Sequence, residues 1–230
     1  MPHSFSPKTL SFLRTLKRNN ERAWFHAHRD EYDTHVRGPM VAIVEALASD
    51  LKGFAPELVA DPKVSLFRPF RDTRFSGDKA PIKTNIAAMF PNRTLGRMSG
   101  AALYFEVTPE HVWIGGGMHS PDSAQLHAVR EHIAKHHRRL DAIVKSAAFK
   151  KLGGLSGETI SRVPRGFPKE HAAADYLRHK QFLGFREEPA AFATSPGFYK
   201  ELVKALKTLG PLVTFLNEPL IGRATGKPHV

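Results

Sequence analysis

The sequence predicts an α+β fold: a central, mainly antiparallel sheet covered by helices from both ends of the chain. Three observations carry this. Apolar residues recur at three-to-four spacing before residue 55 and after residue 120, and the block between them follows strand periodicity. Within that block, Thr108-Pro109-Glu110 separates two strand-like runs by a hairpin-length turn. Helices first, strands in the middle and helices last is not the alternation of a parallel βαβ sheet. No internal repeat and no long polar linker interrupts the 230 residues, so residues 1–221 are expected to form one domain and 222–230 a flexible tail.

The elements follow in order. Ser6-Pro7 is a cap followed by proline at the first helical position, and Leu10, Phe12, Leu13 and Leu16 continue a helix to about Lys17. Asn19-Asn20 breaks it. A second helix opens at Glu21 and Arg22, with Trp24, Phe25, His28 and Tyr32 on neighbouring faces, and Gly38-Pro39 marks a joint. Met40, Ile43, Val44, Leu47 and Leu51 define an amphipathic helix ending near Gly53. Strands are expected over Val64–Phe67, Asn85–Phe90, Ala101–Val107 and Val112–Gly117. Ser120-Pro121-Asp122 starts a helix through Leu126, Val129, Ile133 and Leu140, and helical pattern resumes to Phe149 before Gly153-Gly154 stops it. A strand over Glu158–Val163, a helix over Lys169–His179 and a strand over Phe182–Arg186 follow. Ser195-Pro196 caps a last helix through Leu202, Val203, Leu206 and Leu209, which Pro211 kinks or restarts.

Bulk composition bounds the function. With 41% hydrophobic residues the chain can bury one good core. The absence of cysteine excludes disulfides, thiol catalysis and cysteine-ligated metal. No apolar run approaches the roughly 20 residues that span a bilayer, and the first residues have no signal-peptide pattern, so a cytoplasmic protein without a membrane partner is expected. The net charge of +12 favours anionic partners through long-range attraction, though most of such charge ordinarily does no more than solvate a surface.

The stretch from Leu66 to Asn85 concentrates that charge. Arg68, Arg71, Arg74, Lys79 and Lys83 stand beside Asp72 and Asp78, with Phe67, Phe70 and Phe75 between them. Guanidinium forks bind carboxylate or phosphate through two parallel hydrogen bonds. Pro69, Gly77 and Pro81 favour a loop over a helix. Asp72 and Asp78 either orient arginines by salt bridges, or one of them moves a proton. The competing interpretation is a closed structural ion-pair network, which perturbs charged groups in the same way without binding anything.

The motif Arg68-x-x-Arg71-Asp72-x-Arg74-Phe75-x-x-Asp78-Lys79-x-Pro81 resembles the signature of the DUF2461 family, whose members are mostly bacterial and similar in length. Asn19-Asn20-x-x-x-Trp24-Phe25, Gly115-Gly116-Gly117 followed by Pro121, Arg162-x-Pro164-x-Gly166-Phe167, and Pro211-Leu212 extend the resemblance over nearly the whole chain. The family usually has tyrosine where this chain has Ile82. The resemblance implies a fold and no established activity.

Three further constellations stand outside this segment. The glycine triple lacks the ending of a Walker loop and the βαβ frame of a dinucleotide fingerprint. It either lets amides approach an anion, with Met118, His119 and Ser120 lining the site, or makes room for a packed neighbour. His132 and His136 have the i, i+4 spacing of paired zinc ligands, but one helix supplies two ligands and a closed site needs four, so no metal is expected. Arg165, in the proline-stiffened loop Pro164-Arg-Gly-Phe-Pro168, is a second candidate anion contact if that loop closes over the arginine segment.

The primary expectation is therefore a pocket for a phosphate- or carboxylate-bearing small molecule. Arg68, Arg71, Arg74, Lys79, Lys83 and Arg165 serve as its anion contacts, and Asp72, Asp78 or His119 as proton carriers if it is catalytic. Nucleic-acid binding by the basic surface is the alternative, without a helix-turn-helix, RNP motif or zinc finger in the sequence to support it. A non-catalytic interaction protein is the third. The sequence names no cofactor, reaction class or oligomeric state.

Overall fold

The computed structural model describes residues 4–72, 74, 77 and 79–224, with side chains described through Ile221. The N-terminal part is helical: α1 (Pro7–Arg18), α2 (Arg22–Ala27), α3 (Arg29–Tyr32), a π turn (Asp33–Arg37) and α4 (Gly38–Lys52). Gly38-Pro39 is not the expected joint. The helical path runs through it, because the wider π turn accommodates a proline ring that would clash in a regular turn. Next comes α5 (Pro62–Ser65), where a strand over Val64–Phe67 was expected. The Asp61 side chain accepts from the Lys63 amide at 2.7 Å and Pro62 occupies the first helical position, so local capping outweighs the short apolar run. Only Leu66 pairs as a strand residue, in one bridge to Ala88.

Among the described residues the sheet has four strands, β1 (Ile86–Phe90), β2 (Ala102–Val107), β3 (His111–Met118) and β4 (Phe182–Pro189), in spatial order 1-2-3-4 and antiparallel throughout. The register aligns Ala88, Phe105 and Ile114, and likewise Phe90, Leu103, Gly116 and Gly184, on one face. That face is buried, and fully burying each large apolar side chain is worth about 1.5–3 kcal/mol. The opposite rungs, Met89–Tyr104–Gly115–Phe185 and Ala87–Glu106–Trp113–Glu187, form the second face.

Between β3 and β4 lie α6 (Ser123–Val144), α7 (Ala147–Lys151) and α8 (Ala174–Leu177). A Cβ at Gly153 or Gly154 would sit on left-handed backbone, which is why helical structure stops there. The strand expected over Glu158–Val163 reduces to one bridge, Thr159 to His179. The helix expected over Lys169–His179 shrinks to the single turn α8, since His171 Nδ1 accepts from the Ala173 amide and holds the preceding residues in turns.

After a 3-10 turn (Ala190–Thr194), α9 (Phe198–Ala224) crosses the buried face of the sheet. It runs unbroken past Pro211 and Pro219, and into the segment expected to be tail. Leu209, Leu212, Val213 and Leu216 are all fully buried, which offsets the hydrogen bond each proline removes. Residues 225–230 of the expected tail lie outside the described residues. Phe198 joins both chain ends under the sheet, with its ring 5.8 Å from Phe5 and 6.4 Å from Phe105. Among the described residues no helix is long and apolar enough to cross a membrane.

Candidate functional site

The arginine segment leaves and returns to the edge of β1 as a pinned excursion. At its base the Arg71 amide donates to the Pro81 carbonyl (2.9 Å) and the Lys83 amide to the Pro69 carbonyl (2.8 Å), around a bridge between Phe70 and Ile82. Asn20 secures it from outside: its Nδ2 donates to the Ile82 carbonyl (2.9 Å), and its Oδ1 accepts from the Ile82 amide (3.0 Å). The asparagine side chain thus acts as a short strand against this edge. Ile82 is fully buried, and Phe70 packs edge-on against Phe25 at 5.6 Å. Trp24 stacks on His28 at 4.1 Å and packs against Phe12, so it supports the N-terminal helices.

Phe67 is the hub. Its amide donates to the Ala87 carbonyl at the sheet edge, and its ring meets Tyr104 edge-on at 6.1 Å. The Lys83 ammonium lies 4.9 Å from the ring centroid and the Arg97 guanidinium 4.7 Å. Arg97 is held there by donating to the Leu66 carbonyl at 2.9 Å. Burial pushes the Lys83 pKa down, and the nearby charges of Arg68, Arg71 and Arg97 push it the same way, against an opposing pull from Glu106. The Glu106 Oε2 accepts from the Tyr104 hydroxyl (2.9 Å) and from the Asn85 amide. Burial, followed by this carboxylate, raises the Tyr104 phenol far above its usual range.

Two clefts flank Phe67. The larger, about 700 Å³, lies over the second face of the sheet, with Gly115 and Gly117 in its floor and Trp113, Phe185, Tyr104 and Glu106 around them. The smaller, about 270 Å³, is basic: Arg29, Arg37, Lys63 and Arg68 line it together with Tyr32.

The glycine triple divides its work. Gly116 faces α9, where a Cβ would meet Leu209 at 3.0 Å and Leu103 at 2.9 Å, so this glycine makes room for packing. Gly115 and Gly117 face the large cleft. All three lie on an inner strand in register with neighbours on both sides, so their amides serve the ladder rather than an anion.

The sequence candidates separate accordingly. Arg68, Arg71 and Lys83 come together with Arg97. Arg74 and Asp72 form an exposed pair, with Arg74 Nη2 donating to Oδ2 at 2.8 Å and Nε to Oδ1 at 3.1 Å. That contact lowers the Asp72 pKa, so the carboxylate is placed to hold Arg74. Lys79 is exposed, and Asp78 lies outside the described residues. His119 is exposed, bonds Ser120 Oγ at 2.7 Å and lines the large cleft with Met118 and Ser120. It follows β3, beyond the Gly117–Ala102 rung, on the segment that leads into α6, whose Gln125 side chain donates to the Ser99 carbonyl in the loop that carries Arg97. Arg165 is exposed and lines neither cleft, while Phe167 beside it packs against His127 of α6.

His132 Nε2 stands 3.1 Å from Glu218 Oε2, and its ring lies against Phe215, while α6 kinks at His136. Arg139 takes the same Glu218 with two hydrogen bonds.

Arg97, Tyr104, Glu106 and Asn85 escaped the sequence reading. One signal was available: Tyr104 and Glu106 alternate on β2 opposite Trp113, Gly115 and Gly117 on β3, which marks a face with polar and empty positions instead of core.

No curated protein matches the chain, and no solved structure does. Residues 8–215 match the family model described as a conserved hypothetical protein (DUF2461), and the chain belongs to that family.

Proposed function

We propose that the protein binds a small molecule bearing phosphate or carboxylate, at a basic site built on the Arg68–Lys83 segment and completed by Arg97. The observation that carries this is the placing of Lys83 and Arg97 against the Phe67 ring, where burial and then the charges of Arg68, Arg71 and Arg97 disfavour the Lys83 ammonium, against a pull from Glu106. Cations gathered beside an ammonium whose charged form is disfavoured have a use when an anion enters among them. The half-buried ring of Phe67 and the pinned hairpin base keep the cations in place beforehand, so binding loses little conformational entropy. Binding, not a defined reaction, is the extent of this reading: the Asp72 carboxylate is engaged with Arg74.

Thermal melting at constant ionic strength tests it. Inorganic phosphate at about ten times its Kd would stabilise the wild type by about 1.4 kcal/mol, or roughly 3–6 °C for a chain of this size. Arg68→Ala and Lys83→Met should melt cooperatively and lose that shift. If phosphate does not move the wild-type Tm while Arg71→Ala costs about 3–5 kcal/mol, the segment is a closed ion-pair network and the binding reading fails.

A further inference from the structure

The basic site opens at one end onto a cleft far larger than a phosphate. At about 700 Å³ it has the size of a small-molecule pocket, and its lining is mainly apolar and aromatic. Its central rung is Tyr104–Gly115–Phe185, three residues side by side on neighbouring strands. Gly115 has no side chain, so the rings of Tyr104 and Phe185 rise from strands two spacings apart, about 9.5 Å, with bare backbone between them. A planar ring with aromatic neighbours on both sides needs roughly that width. Trp113 stacks flat against Phe185, at 4.7 Å and 6°, and stiffens that wall. Arg97 lines the cleft beside Phe67, and Lys83 lies against the same Phe67 ring. Glu106 is the one acid among the described lining residues, and its Oε2 is already engaged by Tyr104 and Asn85.

We propose that this cleft takes the flat body of an aromatic anion, seated between Tyr104 and Phe185 over Gly115, with its phosphate or carboxylate at Arg97 and Lys83. The proposal rests on the anion site described above and adds the class of molecule that carries the anion. Gly115 is the position that separates the two. Its backbone is not left-handed, and a Cβ there would meet Phe185 Cβ at 3.3 Å and the Gly184 carbonyl at 3.4 Å, so a side chain needs Phe185 to give by a few tenths of an ångström and then fills the slot.

Isothermal titration at fixed ionic strength, with 1-naphthyl phosphate and with inorganic phosphate as separate probes, tests this. The wild type should bind naphthyl phosphate at least about tenfold more tightly than phosphate, the gain from burying the ring. Gly115→Val should bring naphthyl phosphate down to the level of phosphate while leaving phosphate affinity unchanged, and Arg97→Ala should weaken both. Gly115→Ala is the milder variant for the same comparison should valine not fold, and should lose part of the gain. Equal wild-type affinity for the two probes, or a Gly115 variant that keeps the full gain, overturns the aromatic-anion proposal and leaves the anion site standing. Absence of binding by either probe overturns both.

Discussion

Replacing Asn20 with alanine removes the two hydrogen bonds that hold Ile82, at 2.9 and 3.0 Å, without touching a charged residue of the site. Each bond is worth about 0.5–1.5 kcal/mol net, so Asn20→Ala should cost about 2 kcal/mol in total. For a chain of this length that lowers Tm by roughly 4–8 °C. The loss should be larger in function than in fold, because Ile82 is the partner of Phe70 at the hairpin base, one residue from Lys83. A loosened base lets Lys83 and Arg68 drift, and phosphate affinity should fall although no phosphate contact has been removed. Asn20→Asp sharpens the case. It keeps an acceptor for the Ile82 amide but sets a carboxylate oxygen against the Ile82 carbonyl, so it should be at least as damaging as alanine. The assay is thermal melting beside phosphate titration for both variants. If Asn20→Ala melts within about one degree of the wild type and binds phosphate equally well, the asparagine clamp does not organise the site.

Two other perturbations probe separate parts of the structure. In Lys83→Met the penalised charge disappears: because the folded-state pKa is depressed, the wild type bears that penalty at neutral pH and sheds it as pH rises toward the usual lysine value. Without anion the variant should therefore melt higher than the wild type at pH 7, the difference fading above about pH 10.5, and a lower Tm at pH 7 would contradict the crowding. Gly116→Val drives a side chain into Leu209 and Leu103 and should cost about 1–3 kcal/mol by chemical denaturation, whereas Gly115→Val, facing the cleft, should cost clearly less.

Much of the fold was legible because local signals and burial agree. The β2–β3 hairpin, the capped start of α6 and the stop at Gly153-Gly154 each combine a turn or cap with a change of periodicity. The misread elements are those where two local signals compete, or where burial overrides one. Val64–Phe67 looks extended, yet Asp61-Pro62 caps a helical turn through Ser65. Pro211 should interrupt α9, yet its neighbours are buried against the sheet.

The site divides in the same way. The arginine segment announces itself by charge, and Arg71 and Lys83 stand at its hydrogen-bonded base. Arg97 and Glu106 arrive only through sheet register and the path of the 91–100 loop, which one-dimensional spacing does not encode. His119 and Arg68 both border clefts that share Phe67, but nothing in the chain order tells that the two residues line different ones.

The ionisation of Lys83 reports most directly on whether its surroundings are an anion site. Carbon-13 NMR of lysine-labelled protein, with the Lys83 signal assigned by its loss in Lys83→Met, follows that ammonium alone through an alkaline titration. Its pKa should lie below that of the exposed lysines in phosphate-free buffer, and added phosphate should raise it, since a bound anion stabilises the charged form. An ordinary lysine titration, or a depressed one that phosphate leaves unmoved, would contradict an anion-binding site at Phe67.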